Sequence, residues 1–305
     1  MSATLLVGNR IAGTGIDSHL LERLAEILDA ELIAVDNHQD ARQATRDWLA
    51  TNGTAAVVIA AGGGGTLRAI VEGACDGHPR PPSAQTVRIG GLRMGSGNVV
   101  PKRYGVPKNP IQAAHHLKAR IDSDSTRPCG VIRCRFGGPR AEPGHGITMC
   151  GLGHFGRTSG DLLRLRHRAR ALRNAAAKLI PLERINDAEY LSSFLTRMAV
   201  AALVPSSCEL VTVENRTFRL LAGVVMNFPI RGIPIDPHTD IDEAALGYRL
   251  LPRCGAPLAG TLQLGQRLTI RLEDRDSTEF FLDEDPETAR QEITIEAAGT
   301  LDFVA

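Results

Sequence analysis

Short apolar runs alternate with amphipathic stretches along the first third of the sequence. The runs at 3–9, 31–35 and 54–60 are almost entirely apolar, as is typical of strands buried on both faces of a parallel sheet. Between them, the residues at 18–30 and 41–53 place apolar side chains at helical spacing. The alternation continues with a helix from residue 66, a strand at 86–92 and a helix at 109–121. Because parallel strands need long crossover connections, this pattern predicts an α/β domain with a mostly parallel sheet.

The character of the sequence changes near residue 129. From there, short β-forming runs are separated by glycine and proline turns, which favours an antiparallel, β-sandwich-like domain. A helical segment at about 159–204 interrupts these strands. We therefore predict a nucleotide-binding α/β domain at 1–128 and a β-rich substrate domain at 129–289. The last strands, at about 290–305, are expected to return to the first domain.

Four consecutive glycines and a threonine, Gly62–Thr66, follow the third predicted strand. Glycine has no Cβ, so backbone N–H groups can converge on an anion, and a helix start adds its positive dipole end. Two further glycine-bearing loops follow predicted strands, at 8–15 and 93–98. Since the carboxyl ends of parallel strands meet at one edge of a sheet, the three loops predict a phosphate-binding site. For the glycine run alone, a tight turn without a ligand is the alternative.

These loops, in this order, resemble the diacylglycerol kinase catalytic family, which includes bacterial lipid kinases and sphingosine kinases and is distantly similar to NAD kinases. Gly62–Thr66 resembles the family's GGDGT motif, and Met94–Asn98 resembles its lGTGN motif. The resemblance spans essentially the whole chain. It implies an α/β nucleotide domain and a β-sandwich substrate domain, with ATP and Mg²⁺ as cofactors. It also implies phosphate transfer to a hydroxyl on a lipid or lipid-like acceptor.

The resemblance further indicates which residues would bind the nucleotide. The candidates are Asn9, Gly62, Gly63, Gly64, Gly65, Thr66, Gly95, Ser96, Gly97 and Asn98. Asn9 stands at the family's N-terminal asparagine, and Asn227 with Gly232 resembles a later asparagine-and-glycine segment.

Acidic residues supply the catalytic and metal candidates. Asp283 stands at the aspartate of the family's D-G-E segment, and Asp285 replaces its glutamate. The resemblance implies that Asp283 accepts the proton of the acceptor hydroxyl; a surface acidic turn between two strands is the alternative. Asp242 and Glu243 are candidate Mg²⁺ ligands by the same resemblance, with a solvated acidic loop as the alternative.

The sequence departs from the family where the family carries acids. Gly64 stands at the aspartate of GGDGT, and Val99 at the aspartate that follows lGTGN. Arg93 replaces a proline, while Arg68 and Ala69 replace an asparagine and a glutamate. Phosphoryl transfer usually relies on Mg²⁺ held through carboxylates. Arg68 and Arg93 are candidates to supply positive charge to phosphate directly, but a guanidinium cannot act as a base and cannot replace the geometry of a metal ion.

Two functions follow from these matches and departures. The first is an ATP-dependent phosphotransferase of the lipid kinase type. The second is a relative that kept the fold but lost kinase chemistry, and that binds a ligand or carries out a different reaction in the same cleft. An NAD kinase-type enzyme is disfavoured because the second loop fits the lipid kinase pattern better.

Charge and hydropathy limit the partners. The net charge of +1 and the scarcity of aromatic residues argue against nucleic acid binding. No signal peptide and no apolar run of bilayer length is evident, so a cytoplasmic location is predicted. Arg164–Arg173 concentrates arginines, which predicts peripheral contact with an anionic membrane surface, or else a solvated helix face. A small-molecule or lipid substrate is the expected partner, and a homodimer remains open.

Overall fold

A computed structural model of the chain describes residues 3–12, 16–53, 55–76, 87–95, 98–137, 142–169, 176, 182–228, 245–283 and 285–305. Its N-terminal part contains four parallel strands in the spatial order β2-β1-β3-β4. They are β1 (Thr4–Asn9), β2 (Glu31–Val35), β3 (Val57–Gly62) and β4 (Arg88–Arg93). The helices of this part are α1 (Ser18–Leu28), α2 (His38–Asn52), α3 (Gly64–Cys75), α4 (Val99–Arg103) and α5 (Pro110–Asp122).

Local sequence signals account for these elements. All six residues of β3 are buried, which explains the continuous apolar run in the sequence. Helix α1 begins after Asp17, whose side chain accepts a hydrogen bond from the backbone N–H of His19. Helix α5 begins after Asn109 and carries a proline in its first turn, where no intrahelical N–H bond is lost.

The C-terminal part is dominated by antiparallel pairing. Its strands are β5 (Thr126–Arg135), β6 (Gly144–Gly146), β7 (Met149–Leu152), β8 (Glu209–Val213), β9 (Arg216–Met226), β10 (Leu246–Pro252), β11 (Leu258–Leu262), β12 (Arg267–Leu272), β13 (Ser277–Leu282), β14 (Asp285–Arg290) and β15 (Glu292–Val304). The helices between β7 and β8 are α6 (Gly153–Gly156), α7 (Thr158–Arg168) and α8 (Leu182–Leu203). The predicted fold class, parallel α/β followed by antiparallel β structure, is confirmed.

Strand β15 joins the two parts. It pairs antiparallel with β12 and β5, and at Asp302 and Phe303 it pairs parallel with β4. Hydrogen-bonded strands therefore continue from β14, through β15, to β2. One apolar core packs around the parallel strands and another lies among the antiparallel strands.

Most of the glycine run belongs to regular secondary structure instead of forming a loop. Gly62 ends β3 and Gly64 begins α3, so the helix starts two residues before the predicted Thr66. A Cβ on Gly62 would lie 2.3 Å from the Thr66 Oγ1 atom, which explains why this sharp strand-to-helix turn needs glycine. Within the residues described above, no helix is both long and apolar enough to cross a lipid bilayer.

Candidate functional site

A cleft of about 960 Å³ opens at the C-terminal ends of β1, β3 and β4. The α/β part contributes Asn9, the residues from Gly63 to Thr66, and Gly95 to its lining. The C-terminal part contributes Asp283 and Asp285. The structure thus brings most of the described candidates from the glycine-bearing loops and the two late aspartates into one concave space, whereas Gly62 and Asn98 do not line it.

The glycine run and the second loop approach each other closely in this cleft. A Cβ added to Gly95 would lie only 2.2 Å from the Gly63 Cα atom. The second loop is held by Asn98, whose side-chain oxygen accepts from the Gly95 N–H at 3.0 Å and whose amide donates to the Gly95 carbonyl. This backbone contact requires glycine at position 95, and Asn98 has a structural role in it.

The start of α3 faces this junction. Asn9 donates a hydrogen bond from Nδ2 to the Thr66 Oγ1 atom at 3.2 Å, which ties the end of β1 to the first turn of α3. The first N–H groups of a helix have no intrahelical acceptor, so those of Gly64 and Gly65 can serve a ligand. A helix start with such N–H groups favours an anion such as phosphate.

The acidic side chain of Asp285 lies close to this helix start. A Cβ built on Gly65 would lie 3.5 Å from both carboxylate oxygens of Asp285. Burial raises the pKa of the Asp285 carboxyl, while the charges of Arg68 and His38 oppose that shift. The side chain remains 38% exposed, so a ligand in the cleft can reach it.

Asp283, unlike Asp285, is buried and hydrogen-bonded to the backbone. It lies in the turn between β13 and β14, but it is only 6% exposed, so the alternative of a surface turn is wrong. One carboxylate oxygen accepts from the Ile147 N–H at 2.7 Å. The other accepts from the Thr148 N–H at 2.7 Å, the Met149 N–H at 3.2 Å and the Thr148 hydroxyl. Burial raises the pKa of Asp283, and these donors oppose it. The carboxylate therefore fastens β13 to the turn before β7.

Arg68 does not serve the role expected from the sequence. Its side chain is only 4% exposed, and its Nη1 atom donates to the Leu282 carbonyl oxygen at 3.1 Å. The rest of the guanidinium contacts three carboxylates, those of Glu72, Asp285 and Glu287. Burial lowers the pKa of Arg68, but the three carboxylates outweigh burial and raise it. The expectation that Arg68 offers its charge to phosphate is therefore wrong for this arrangement.

Sequence reasoning missed Glu72 and His38, which also line the cleft. Glu72 is 3% exposed, and its Oε2 atom lies 2.7 Å from the Nε2 atom of His38. Burial raises the pKa of Glu72, but the hydrogen bond from His38 and the charge of Arg68 lower it to about 2. The spacing of Arg68 and Glu72, four residues apart on one predicted helix, was the available signal.

The pKa of Glu72 gives a testable pH dependence. Its folded pKa of about 2 lies below the ordinary value of 4.5, so its stabilising contribution is present above pH 4.5 and is lost as the pH falls towards 2. We expect the difference in unfolding free energy between the wild type and Glu72→Gln to shrink by about 3 kcal/mol over that window. Urea denaturation across the pH range measures it.

Glu22 provides the control for this experiment, because it forms an ion pair with His19 while remaining 62% exposed. For Glu22→Gln the difference from the wild type should change by less than about 0.5 kcal/mol. A pH-independent difference for Glu72→Gln would show that Glu72 is not held ionised by its neighbours.

Several predicted residues cannot be placed. Ser96, Gly97, Gly232, Asp242 and Glu243 lie outside the described residues, as do residues 170–173 of the arginine-rich segment. Among the residues that are described, no group of three or more histidine, cysteine, aspartate or glutamate side chains is arranged to hold a metal ion. The described part of the cleft therefore does not fit a Mg²⁺ ion held by the protein alone.

Gly64 and Val99, which stand where the family has aspartates, line the same small cavity. A second cavity of about 30 Å³ is lined by both Gly64 and Val99, together with Thr148 and Asp283. Its volume is close to that of one water molecule. The two departures from the family therefore affect a single place beside the glycine run.

Part of the chain matches a known protein family. Residues 3–127 match the family model described as the diacylglycerol kinase catalytic domain. The matched residues include the glycine run and the second loop, whereas Asp283 and Asp285 lie beyond them. No protein with curated annotation matches the sequence.

Solved structures extend the likeness to the whole fold. A diacylglycerol kinase from Bacillus anthracis str. Sterne is similar with a TM-score of 0.62 and 15% identity, covering 99% of this chain and 96% of the other. A yeast NADH kinase complexed with NADH is similar with a TM-score of 0.51 and 9% identity, covering 99% and 83%. At these identities the likeness shows the fold alone, and it extends beyond residues 3–127.

Proposed function

We propose that this chain is an ATP-dependent phosphotransferase of the diacylglycerol kinase type, which phosphorylates a hydroxyl on a lipid or lipid-like acceptor. The observation that carries the proposal is the close approach of Gly63 and Gly95 at the start of α3, close to Asp285. Backbone N–H groups at this junction would bind the nucleotide phosphates. The matched family supports the class of reaction.

Asp285 is the better candidate for the proton acceptor. Both oxygens of Asp283 already accept hydrogen bonds from residues 147–149, whereas Asp285 is partly exposed beside Gly65. In the proposed reaction, the acceptor hydroxyl gives its proton to Asp285 while its oxygen bonds to the γ-phosphorus. The bond between the γ-phosphorus and the bridging oxygen breaks, and ADP leaves.

Apolar side chains in the lining of the cleft support a lipid-like acceptor. Phe136, Leu162, Leu163 and Tyr190 line the cleft, and Leu163 is 51% exposed. An acceptor with an apolar portion would bury it here while presenting its hydroxyl towards Asp285.

The experiment has two steps that separate binding from transfer. Calorimetry should show ATP binding to the purified protein, and incubation with γ-labelled ATP, Mg²⁺ and a lipid extract should give a labelled lipid. Asp285→Asn should reduce the transfer rate by a factor of about 100 or more while ATP binding persists. Failure to bind ATP, or full transfer by Asp285→Asn, would contradict the proposal.

A second candidate is a kinase-fold protein that binds a ligand in this cleft without kinase chemistry. Its support is the absence of both family acids from the small cavity lined by Gly64 and Val99. A Cβ on Gly64 meets only the Asp283 carbonyl oxygen, at 3.9 Å, so an aspartate can enter there. Transfer by Gly64→Asp/Val99→Asp but not by the parent would establish this candidate. A parent that already transfers phosphate, with no gain in the double variant, would eliminate it.

Membrane contact through Arg164–Arg173 remains a proposal, as do the cytoplasmic location and a homodimer. Within the described part of this segment, Arg164 pairs with Asp161 and Glu279, and Arg166 pairs with Glu189. These acids neutralise part of the positive charge that would attract an anionic surface.

A further inference from the structure

We propose that the guanidinium of Arg68 is a resident cation of the cleft, and that it takes the place of a divalent metal ion between Glu72, Asp285 and Glu287. The inference concerns the protein before any ligand binds, so it does not depend on the proposed function.

Oxygen atoms from three elements converge on Arg68. The Nη1 atom lies 3.1 Å from the Leu282 carbonyl oxygen and 3.4 Å from the Asp285 Oδ2 atom. The Nη2 atom lies 3.0 Å from the Glu72 Oε1 atom and also contacts the Glu287 carboxylate. Three carboxylates and one backbone carbonyl are the kind of oxygen set that Ca²⁺ or Mg²⁺ takes in proteins.

The burial of this cluster makes a cation necessary. Glu72 is 3% exposed and Glu287 27% exposed, so their mutual repulsion is screened less than at an open surface. A bound metal ion could supply the compensating charge but would be in exchange with solvent. Arg68 is covalently part of α3 and stays protonated at all ordinary pH values, so its charge is permanent.

The size of the guanidinium explains why the described residues lack a ready metal site. A metal ion needs its oxygen ligands within about 2.0–2.6 Å, whereas the planar guanidinium holds these oxygens further apart around several nitrogens. The same carboxylates are therefore present but arranged for a side-chain cation. It follows that the protein without a ligand does not recruit a divalent ion at this cluster.

Manganese binding to the nucleotide-free protein tests this inference. Free Mn²⁺ is measured by electron paramagnetic resonance during a titration of the wild type and of Arg68→Gln. We expect no Mn²⁺ site at the cleft in the wild type and one new site in Arg68→Gln. The variant should therefore bind Mn²⁺ with an affinity at least tenfold higher than that of the wild type. Arg68→Lys keeps a cation at this position and should gain no site.

Arg164→Gln is the matched control, because Arg164 also contacts two carboxylates, those of Asp161 and Glu279, but does not line the cleft. It should gain no Mn²⁺ site. If Arg68→Gln does not fold, the double variant Arg68→Gln/Glu287→Gln takes its place. It removes one of the three carboxylates that Arg68 contacts and keeps Glu72, Asp285 and the Leu282 carbonyl as possible metal ligands. This double variant should bind Mn²⁺ and melt at a higher temperature in its presence.

Two results would overturn the inference. One is a wild-type Mn²⁺ site that disappears in Asp285→Asn, which would mean that the metal and Arg68 coexist. The other is a folded Arg68→Gln variant, or a folded double variant, that binds Mn²⁺ no better than the wild type. Because no nucleotide is present, these results are independent of whether ATP binds.

Discussion

Asp283→Asn should lower the free energy of unfolding by about 3 kcal/mol, even though asparagine has almost the same shape as aspartate. Both carboxylate oxygens of Asp283 accept hydrogen bonds, from the N–H groups of Ile147, Thr148 and Met149 and from the Thr148 hydroxyl. An asparagine amide would place its own N–H groups against at least one of these donors. The donor then stays buried without an acceptor, which is costly.

Asp285→Asn is the control. It also removes one negative charge, two residues further along the chain, but the Asp285 side chain is 38% exposed. We expect its cost in unfolding free energy to stay below about 1 kcal/mol, measured by urea denaturation under the same conditions. A purely catalytic Asp283 would behave in the opposite way, with little loss of stability. Equal stability of the two variants would therefore contradict the structural role.

Gly95→Ala should separate the two glycine loops. The added Cβ would lie 2.2 Å from the Gly63 Cα atom, and a backbone atom cannot move aside as a flexible side chain can. We expect a loss of about 2–3 kcal/mol in unfolding free energy from overpacking. We also expect ATP affinity to fall by a factor of about 100, because displaced N–H groups no longer converge on the phosphates. Denaturation and calorimetry measure the two effects.

Gly64→Ala is the matched substitution in the neighbouring loop, because its Cβ would meet only the Asp283 carbonyl oxygen, at 3.9 Å. It should change the unfolding free energy by less than about 1 kcal/mol. If Gly95→Ala is as stable as Gly64→Ala, the loops do not touch as described. That stability measurement is decisive whether or not the wild type binds ATP.

Local patterns were sufficient to predict the parallel strands and the position of the glycine loops. The buried run that forms β3 and the cap residue Asp17 act over a few neighbours, so the sequence displays them directly. The exact start of α3 was missed because glycine disfavours helix, and packing against the rest of the fold overrides that preference.

The electrostatics of the cleft could not be predicted in the same way. Arg68 lies 217 residues from Asp285 and 219 from Glu287, and no local rule connects positions so far apart. The alternative interpretation of Asp283, an exposed surface turn, was wrong for the same reason. The groups that donate hydrogen bonds to its carboxylate lie 134–136 residues earlier in the chain. Residue type alone predicted an Arg68 side chain available to a ligand and a solvated turn at Asp283. Contacts between distant parts of the chain decide which of these charges a ligand can reach.

The pairing of β15 connects the two parts of the protein that line the cleft. One end of this strand belongs to the antiparallel part, and the other end lies beside β4 in the parallel part, with β5 following it throughout. Their register shifts between Ala297 and Gly299, and Gly299 has a φ of 124°. Such a bulge bends its strand and increases the local twist. It lies between the residues of β15 that pair with β12 and those that pair with β4, so the strand changes direction where it passes from one part of the protein to the other.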